Sequence, residues 1–287
     1  MLGVPPTVSS DARTTVIAMT TSTPAPRPVA TLDDALRLDG RRAIVTGGAR
    51  GIGLAIGRLL AARGARVMLA DVDADGCASA AAELGPDVRS TGADVRSSDD
   101  VARLVAATAD AFGGVDLLVN NAGVEIAKPF VETEEEELAR VLDINVKGVF
   151  LATKHAAPAM IATGGGAIVN IASIASLNGA PLLAAYAASK AAVLQLTRVA
   201  AIELRGAGIR VNAVCPGLVQ TAMYDDLRAP IEGAAGMSLD AVVAAKQGRP
   251  GTPEEIADAV AFLASDAAPF TVGAHYVVDG GLTASLF

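Results

Sequence analysis

The segment TGGARGIG, residues 46–53, does most to narrow the folds open to this chain. It follows a short apolar run, RAIVT, and opens an amphipathic one, GIGLAIGRLLAARG, so a strand is expected to pass through a glycine-rich turn into a helix. In that setting Gly47, Gly51 and Gly53 permit a tight turn. They also let a pyrophosphate approach backbone N–H groups at the helix N-terminus, with Arg50 and Ile52 inside the same loop. Glycine-rich turns serve as plain connections too; the strand–turn–helix context gives this one its nucleotide meaning.

The same alternation continues along the chain. Strands are expected in ARVMLAD, VRSTGADV, VDLLVNNAG, GAIVNIAS, IRVNAVCPG and AHYVVDGG, with helical stretches between them. This predicts an α/β fold: a Rossmann-type, doubly wound, seven-stranded, mostly parallel sheet flanked by helices, in a single domain over residues 37–287. The stretch TEEEELARVLDINVKGVFLATKHAAPAMIAT predicts one long helix, and its ETEEEE opening a solvated helix start that suits the macrodipole. Residues 218–252 break the rhythm at the carboxyl end of a strand, where ligands bind in such sheets, and are expected to form a substrate lid. Residues 1–36, rich in Ser, Thr and Pro without helical or strand period, are expected to be a flexible N-terminal tail.

Charge and composition exclude several function classes. The 287 residues carry a formal net charge of −8, which argues against nucleic acid or an anionic membrane as partner. No apolar run reaches the about 18 residues of a membrane span. Two cysteines, Cys77 and Cys215, and two histidines, His155 and His275, fit neither a metal site nor a disulfide framework. Reduced, packed thiols point to the cytoplasm.

The second strand ends at Asp71, twenty residues after Gly51 (71 − 51). A carboxylate there accepts hydrogen bonds from both ribose hydroxyls and repels a 2′-phosphate, so NAD is expected over NADP. Arg50 argues the other way, since it could reach a 2′-phosphate.

Far downstream, AAYAASKAA (184–192) sets Tyr186 and Lys190 into a run of alanines. The run should be helical, which puts the phenol and the ammonium on one face at i and i+4 and should lower the phenol pKa. Pairs at this spacing are also ordinary helix neighbours.

Together the motifs resemble the short-chain dehydrogenase/reductase family over residues 38–287. The resemblance is carried by TGGARGIG, Asp94–Val95, NNAG at 120–123, Asn145 in DINVKG, Ser173 in NIASIAS, YAASK at 186–190, Pro216–Gly217 and VDGG at 278–281. It implies that Asn145, Ser173, Tyr186 and Lys190 are catalytic, Ser173 lying thirteen residues before Tyr186 (186 − 173). Tyr186 would act as general base or acid, with Lys190 also holding the nicotinamide ribose. Ser173 would polarise the substrate oxygen, and Asn145 would hold a water that links Lys190 to solvent. It further implies that Asp94 and Val95 contact adenine and that Asn121, Ala122 and Gly123 form the turn beneath the cofactor. Pro216, Gly217, Val219 and Thr221 would lie at the nicotinamide carboxamide. Asn120 and Asn121 could equally tie strand ends together.

The expected function is hydride transfer between NAD(H) and a secondary alcohol or ketone, cyclic or otherwise apolar. The substrate character rests on the lining expected from Val124, Ile174, Leu177, Leu182, Leu218, Met223 and Tyr224. An NADPH-dependent 3-oxoacyl carrier-protein reductase is one alternative, disfavoured by Asp71 and by the chain's acidity against an acidic carrier. A non-catalytic nucleotide-binding scaffold is another, which would have no need of all four catalytic residues. The family habit implies a homotetramer, and no metal is expected.

Overall fold

The computed structural model describes residues 31–284. Its seven strands are β1 (Arg42–Thr46), β2 (Arg66–Asp71), β3 (Val88–Gly92), β4 (Leu117–Asn120), β5 (Gly166–Ile171), β6 (Ile209–Pro216) and β7 (His275–Val278). They form one sheet in the order β3-β2-β1-β4-β5-β6-β7, and every pairing is parallel, so no antiparallel strand qualifies the expected sheet.

Parallel strands buried on both faces read as continuous apolar runs, and successive side chains point to opposite faces. Along the first two strands, Val45, Val67 and Leu69 join one core, while Ile44, Met68 and Ala70 join the other. The first core is closed by α2 (Gly51–Ala62), α3 (Ala74–Leu84) and α10 (Pro253–Ala264), through residues such as Ile56, Cys77 and Val260. On the opposite face lie α4 (Ser98–Phe112), α6 (Gly148–Ala162) and α7 (Ala184–Leu204), contributing Leu104, Met160 and Leu204. Strand order reverses between β1 and β4, and Val45 of β1 pairs with Leu69 of β2 on one side and Val119 of β4 on the other. At such a reversal the connections leave to opposite faces and open a crevice at the carboxyl edge.

Two expectations change. The tail expected over residues 1–36 gives way at Thr31, whose hydroxyl caps a short helix, α1 (Leu32–Leu36), and Ala35 and Leu38 are buried. Residues 1–30 lie outside the described residues. The single long helix expected from 133 to 163 is two helices, α5 (Glu135–Leu142) and α6, joined by a π turn over Asp143–Lys147. The backbone does not break there; it widens by one turn, and Asn145 sits inside it.

The segment 218–252 folds as two helices, α8 (Ala222–Ala235) and α9 (Leu239–Lys246), capped by Thr221 and Ser238. Tyr224, Leu227, Leu239 and Val243 pack there in one cluster with Tyr186.

Candidate active site

The carboxyl ends of β1, β2, β4, β5 and β6 meet at the crevice, and each delivers a predicted residue there. Leaving β1, Gly47 adopts φ +66, and a Cβ on it would lie 2.8 Å from the Ala122 Cα. Gly53 is tighter still, since a Cβ there would stand 2.0 Å from the Gly47 carbonyl oxygen. The turn after β4 locks onto this loop. Asn121 donates from Nδ2 to the carbonyls of Thr46 and Gly47, both at 3.0 Å, while the Thr46 hydroxyl accepts from the amides of Asn121 and Ala122. Asn120 donates to Asn170 across to β5. The side chains of both asparagines therefore tie strand ends together.

Helix α2 begins at Arg50 without a side-chain cap, as α6 and α7 also begin, whereas Asp73, Ser97, Thr221, Ser238 and Thr252 cap α3, α4, α8, α9 and α10. Its first-turn N–H groups thus face the crevice without a side-chain acceptor, over a loop with no Cβ in the way. That donor set fits a dinucleotide pyrophosphate. Asp71, at the end of β2, accepts from the Ala49 amide at 3.3 Å and from Asp73, which aims its carboxylate at the loop's flank. Arg50 is exposed. Asp94 is engaged by Arg96 through both carboxylate oxygens, so the guanidinium holds its pKa below the usual range. Val95 packs beneath Gly148. Pro216 and Gly217 leave β6, and Gly217 abuts Asp279 and Gln247. Thr221 lies above Gly51, its methyl 3.6 Å from where a Cβ would be, and Val219 bridges to Gly251.

The four residues expected to be catalytic are all buried. Lys190 donates to the Ile171 carbonyl at 2.8 Å, its Nζ 5.7 Å from the Tyr186 ring centroid. A Cβ on Gly123 would meet the Asn145 Oδ1 at 3.3 Å and Lys190 Nζ at 3.4 Å, which brings these two side chains to one point. Asn145 accepts from the Val124 amide and donates to the Val124 carbonyl and the Ser189 hydroxyl, all at 2.9 Å. Its amide donors are thereby used on the protein itself. Ser173 accepts from Ala175 at the end of β5.

The phenol does not behave as its spacing to Lys190 suggests. Burial, with Glu125 adding to it, pushes the Tyr186 hydroxyl above its ordinary value, and the Ser173 hydroxyl only offsets part of the rise. Burial likewise lowers Lys190 to about 8. Desolvation disfavours both charged forms and outweighs their neighbourhood.

Sequence reading missed Glu125. It follows the NNAG turn and Val124, and burial pushes its carboxyl up to about 8, with Asp226 raising it further and Lys190 opposing. Its Oε1 is buried and has no hydrogen-bond partner. The only signal was one acid inside an apolar stretch, VNNAGVEIA. Leu182, expected in the substrate lining, is held at φ +69, a region unfavourable to a branched side chain, and its carbonyl accepts from the Lys128 amide at 2.9 Å. Tyr224, also expected there, is buried and donates to Asp240 instead. Leu177 is exposed.

Comparison with known proteins gives a consistent picture. A family model described as "Enoyl-(Acyl carrier protein) reductase" matches residues 47–283. The chain is 46% identical to cis-4-hydroxycyclohexanecarboxylate dehydrogenase of Sinomonas cyclohexanicum, covering 85% of this chain and 97% of that protein. It is 40% identical to D-threitol dehydrogenase of Mycolicibacterium smegmatis, over 88% of this chain and 96% of that one. The solved structure of levodione reductase superposes with a TM-score of 0.82 at 35% identity, covering 87% of this chain and all of that one (100%).

Proposed function

The chain belongs to the short-chain dehydrogenase/reductase family, and from that premise we propose that it interconverts a secondary alcohol and its ketone with NAD(H), using Tyr186 as the proton-transferring group. It is an oxidoreductase acting on CH–OH groups. The observation that carries the reading is the convergence of Lys190, Asn145 and Gly123 at one buried point beside Tyr186. The uncapped start of α2 and the Cβ-free loop at Gly47 and Gly53 would hold the dinucleotide, Asp71 its adenosine ribose. When bound, the nicotinamide supplies the hydride acceptor and, in its oxidised form, a positive charge beside the phenol.

The chain's own residues have the following work. Ser173, at the end of β5, hydrogen-bonds the substrate oxygen and orients it towards Tyr186. Tyr186 takes the hydroxyl proton in oxidation and returns it in reduction. Lys190, fixed on the Ile171 carbonyl, favours the phenolate and reaches the nicotinamide ribose. Asn145 anchors Val124 and Ser189, so it keeps the NNAG turn and the Tyr186 helix in register. Asp94 and Val95 flank the adenine; Asn121, Ala122 and Gly123 floor the cofactor; Pro216, Gly217, Val219 and Thr221 close over its other end. Residues 218–252 act as the lid, and the substrate is a small cyclic or polyhydroxylated alcohol, in keeping with the relatives' names.

We further place the enzyme in the cytoplasm as a homotetramer. Free Cys77 and Cys215 suit a reducing compartment, and no helix among the described residues is long and apolar enough to cross a membrane.

The test has two arms. Thermal unfolding with NAD(H) or NADP(H) at equal concentration should favour NAD(H); a ligand at one hundred times its Kd adds about 2.7 kcal/mol. A preference for NADP(H) would hand the choice to Arg50. Tyr186→Phe should lower turnover by about 10²–10⁴-fold while the cofactor-induced shift survives; undiminished turnover refutes the mechanism.

A further inference from the structure

Glu125 has no place in the chemistry just described, yet its surroundings are unusually constrained. On one side, Val124 is gripped by Asn145 through both its amide and its carbonyl. On the other, the Lys128 amide bonds the Leu182 carbonyl, and the Lys128 ammonium pairs with Glu137 at 2.5 Å. The segment that carries Glu125 is therefore fixed between the π turn and the loop that leads into the Tyr186 helix. The preceding residue, Val124, is held by Asn145, whose side chain meets Lys190 Nζ beside Gly123, so Glu125 stands next to the reacting end of the crevice, where its carboxyl feels the charges of Lys190 and Asp226.

Within this frame Oε1 is buried and receives no hydrogen bond. A buried polar atom left in that condition is destabilising. Lys190 does not bond it and donates to the Ile171 carbonyl instead, while the Asp226 carboxylate only raises the Glu125 pKa. The side chains clustered with Tyr186, among them Ala175, Leu183 and Leu227, are apolar. A missing partner at a rigid position beside the reacting residues points to a ligand contact.

Resting on the alcohol-dehydrogenase reading above, we infer that the Glu125 carboxyl is the substrate's polar anchor: it hydrogen-bonds a second hydroxyl of the substrate, so the enzyme prefers uncharged diols and polyols to mono-alcohols and to hydroxy acids. A hydroxyl suits either protonation state, because it donates to a carboxylate and accepts from a carboxylic acid. A substrate carboxylate suits neither well, since Asp226 and an ionised Glu125 would both oppose it.

The experiment compares cyclohexanol, the 1,2-, 1,3- and 1,4-cyclohexanediols and cis-4-hydroxycyclohexanecarboxylate with the wild-type protein, Glu125→Ala and Glu125→Gln. The wild type should show at least a tenfold higher kcat/KM for one diol than for cyclohexanol. That ratio should fall at least tenfold in Glu125→Ala, chiefly through KM, and partly recover in Glu125→Gln, whose amide still bonds a hydroxyl. The hydroxy acid should gain relative to the diol in Glu125→Gln. Effects transmitted through Tyr186 act on every substrate alike and cancel in these ratios, so an equal loss on all of them, or a diol preference that persists in Glu125→Ala, overturns the inference. If no alcohol turns over, the enzymatic reading fails on its own; calorimetry of diol binding to the NADH-loaded protein then decides, and binding indifferent to Glu125 overturns the anchor as well.

Discussion

At the scale of single residues, protonation in this crevice is governed by burial more than by neighbours. Tyr186 and Lys190 sit at the helical spacing that brings opposite charges together, yet each is pushed towards its neutral form. Spacing is written in the sequence, whereas desolvation depends on how the lid and the strand ends close over the pair, so only the first was readable. Glu125 follows the same rule and makes it measurable. Its carboxyl moves from an ordinary value near 4.5 to about 8 in the fold. Between those values the folded protein keeps a proton that the unfolded chain has lost, so stability falls as pH rises through this window, and the loss is complete above about pH 8. Glu125→Gln removes the ionisation and should stabilise the free protein little at pH 5 and more at pH 9, by at most about 5 kcal/mol at 1.4 kcal/mol per pKa unit. Urea midpoints at the two pH values give the answer; an equal or inverted difference is incompatible with a buried, raised carboxyl.

Among the elements, those with one unbroken period were legible and the irregular one was not. Parallel strands such as β1 and β6 announce themselves as apolar runs because both of their faces are covered. The glycine loop was legible because its turn has few alternatives at Gly47 and Gly53. The π turn at Asp143–Lys147 was read as plain helix, since one inserted residue shifts the period without changing the composition. Its placement matters, as the widened turn is what sets Asn145 against Val124 and Ser189. Asn145→Ala removes three hydrogen bonds at once, to the Val124 amide, the Val124 carbonyl and the Ser189 hydroxyl, and a loss of about 2–4 kcal/mol is expected by urea unfolding, together with weakened turnover. A loss below about 0.5 kcal/mol would mean that the π turn holds its shape without the side chain.

At the scale of the whole molecule, two separate apolar faces lie open among the described residues. One lies on α5, α6 and α7, where Leu142, Val146, Phe150, Ala192 and Leu196 line a groove and Val199 and Ile202 are exposed. The other lies about the β7 edge, with Phe270 fully exposed and Val272 and Tyr276 beside it. Patches of this kind mark interfaces, and two distinct self-complementary ones generate a tetramer with three perpendicular two-fold axes. Light scattering at micromolar concentration should therefore report four copies. Phe150→Glu should reduce them to two by disabling one face alone; a monomeric wild type removes the proposal.

The two thiols have a consequence of their own. Cys77 is wholly buried on the inner face of α3 and is pushed up to about 12, while Cys215 is wholly buried behind the crevice and is raised as well. Neither can meet an alkylating reagent as thiolate until its surroundings open. The chain consequently carries two internal clocks, one in the dinucleotide-binding half and one at the reacting end. The rates at which they are labelled give the opening frequency of each region separately, without a probe having to be added to the protein.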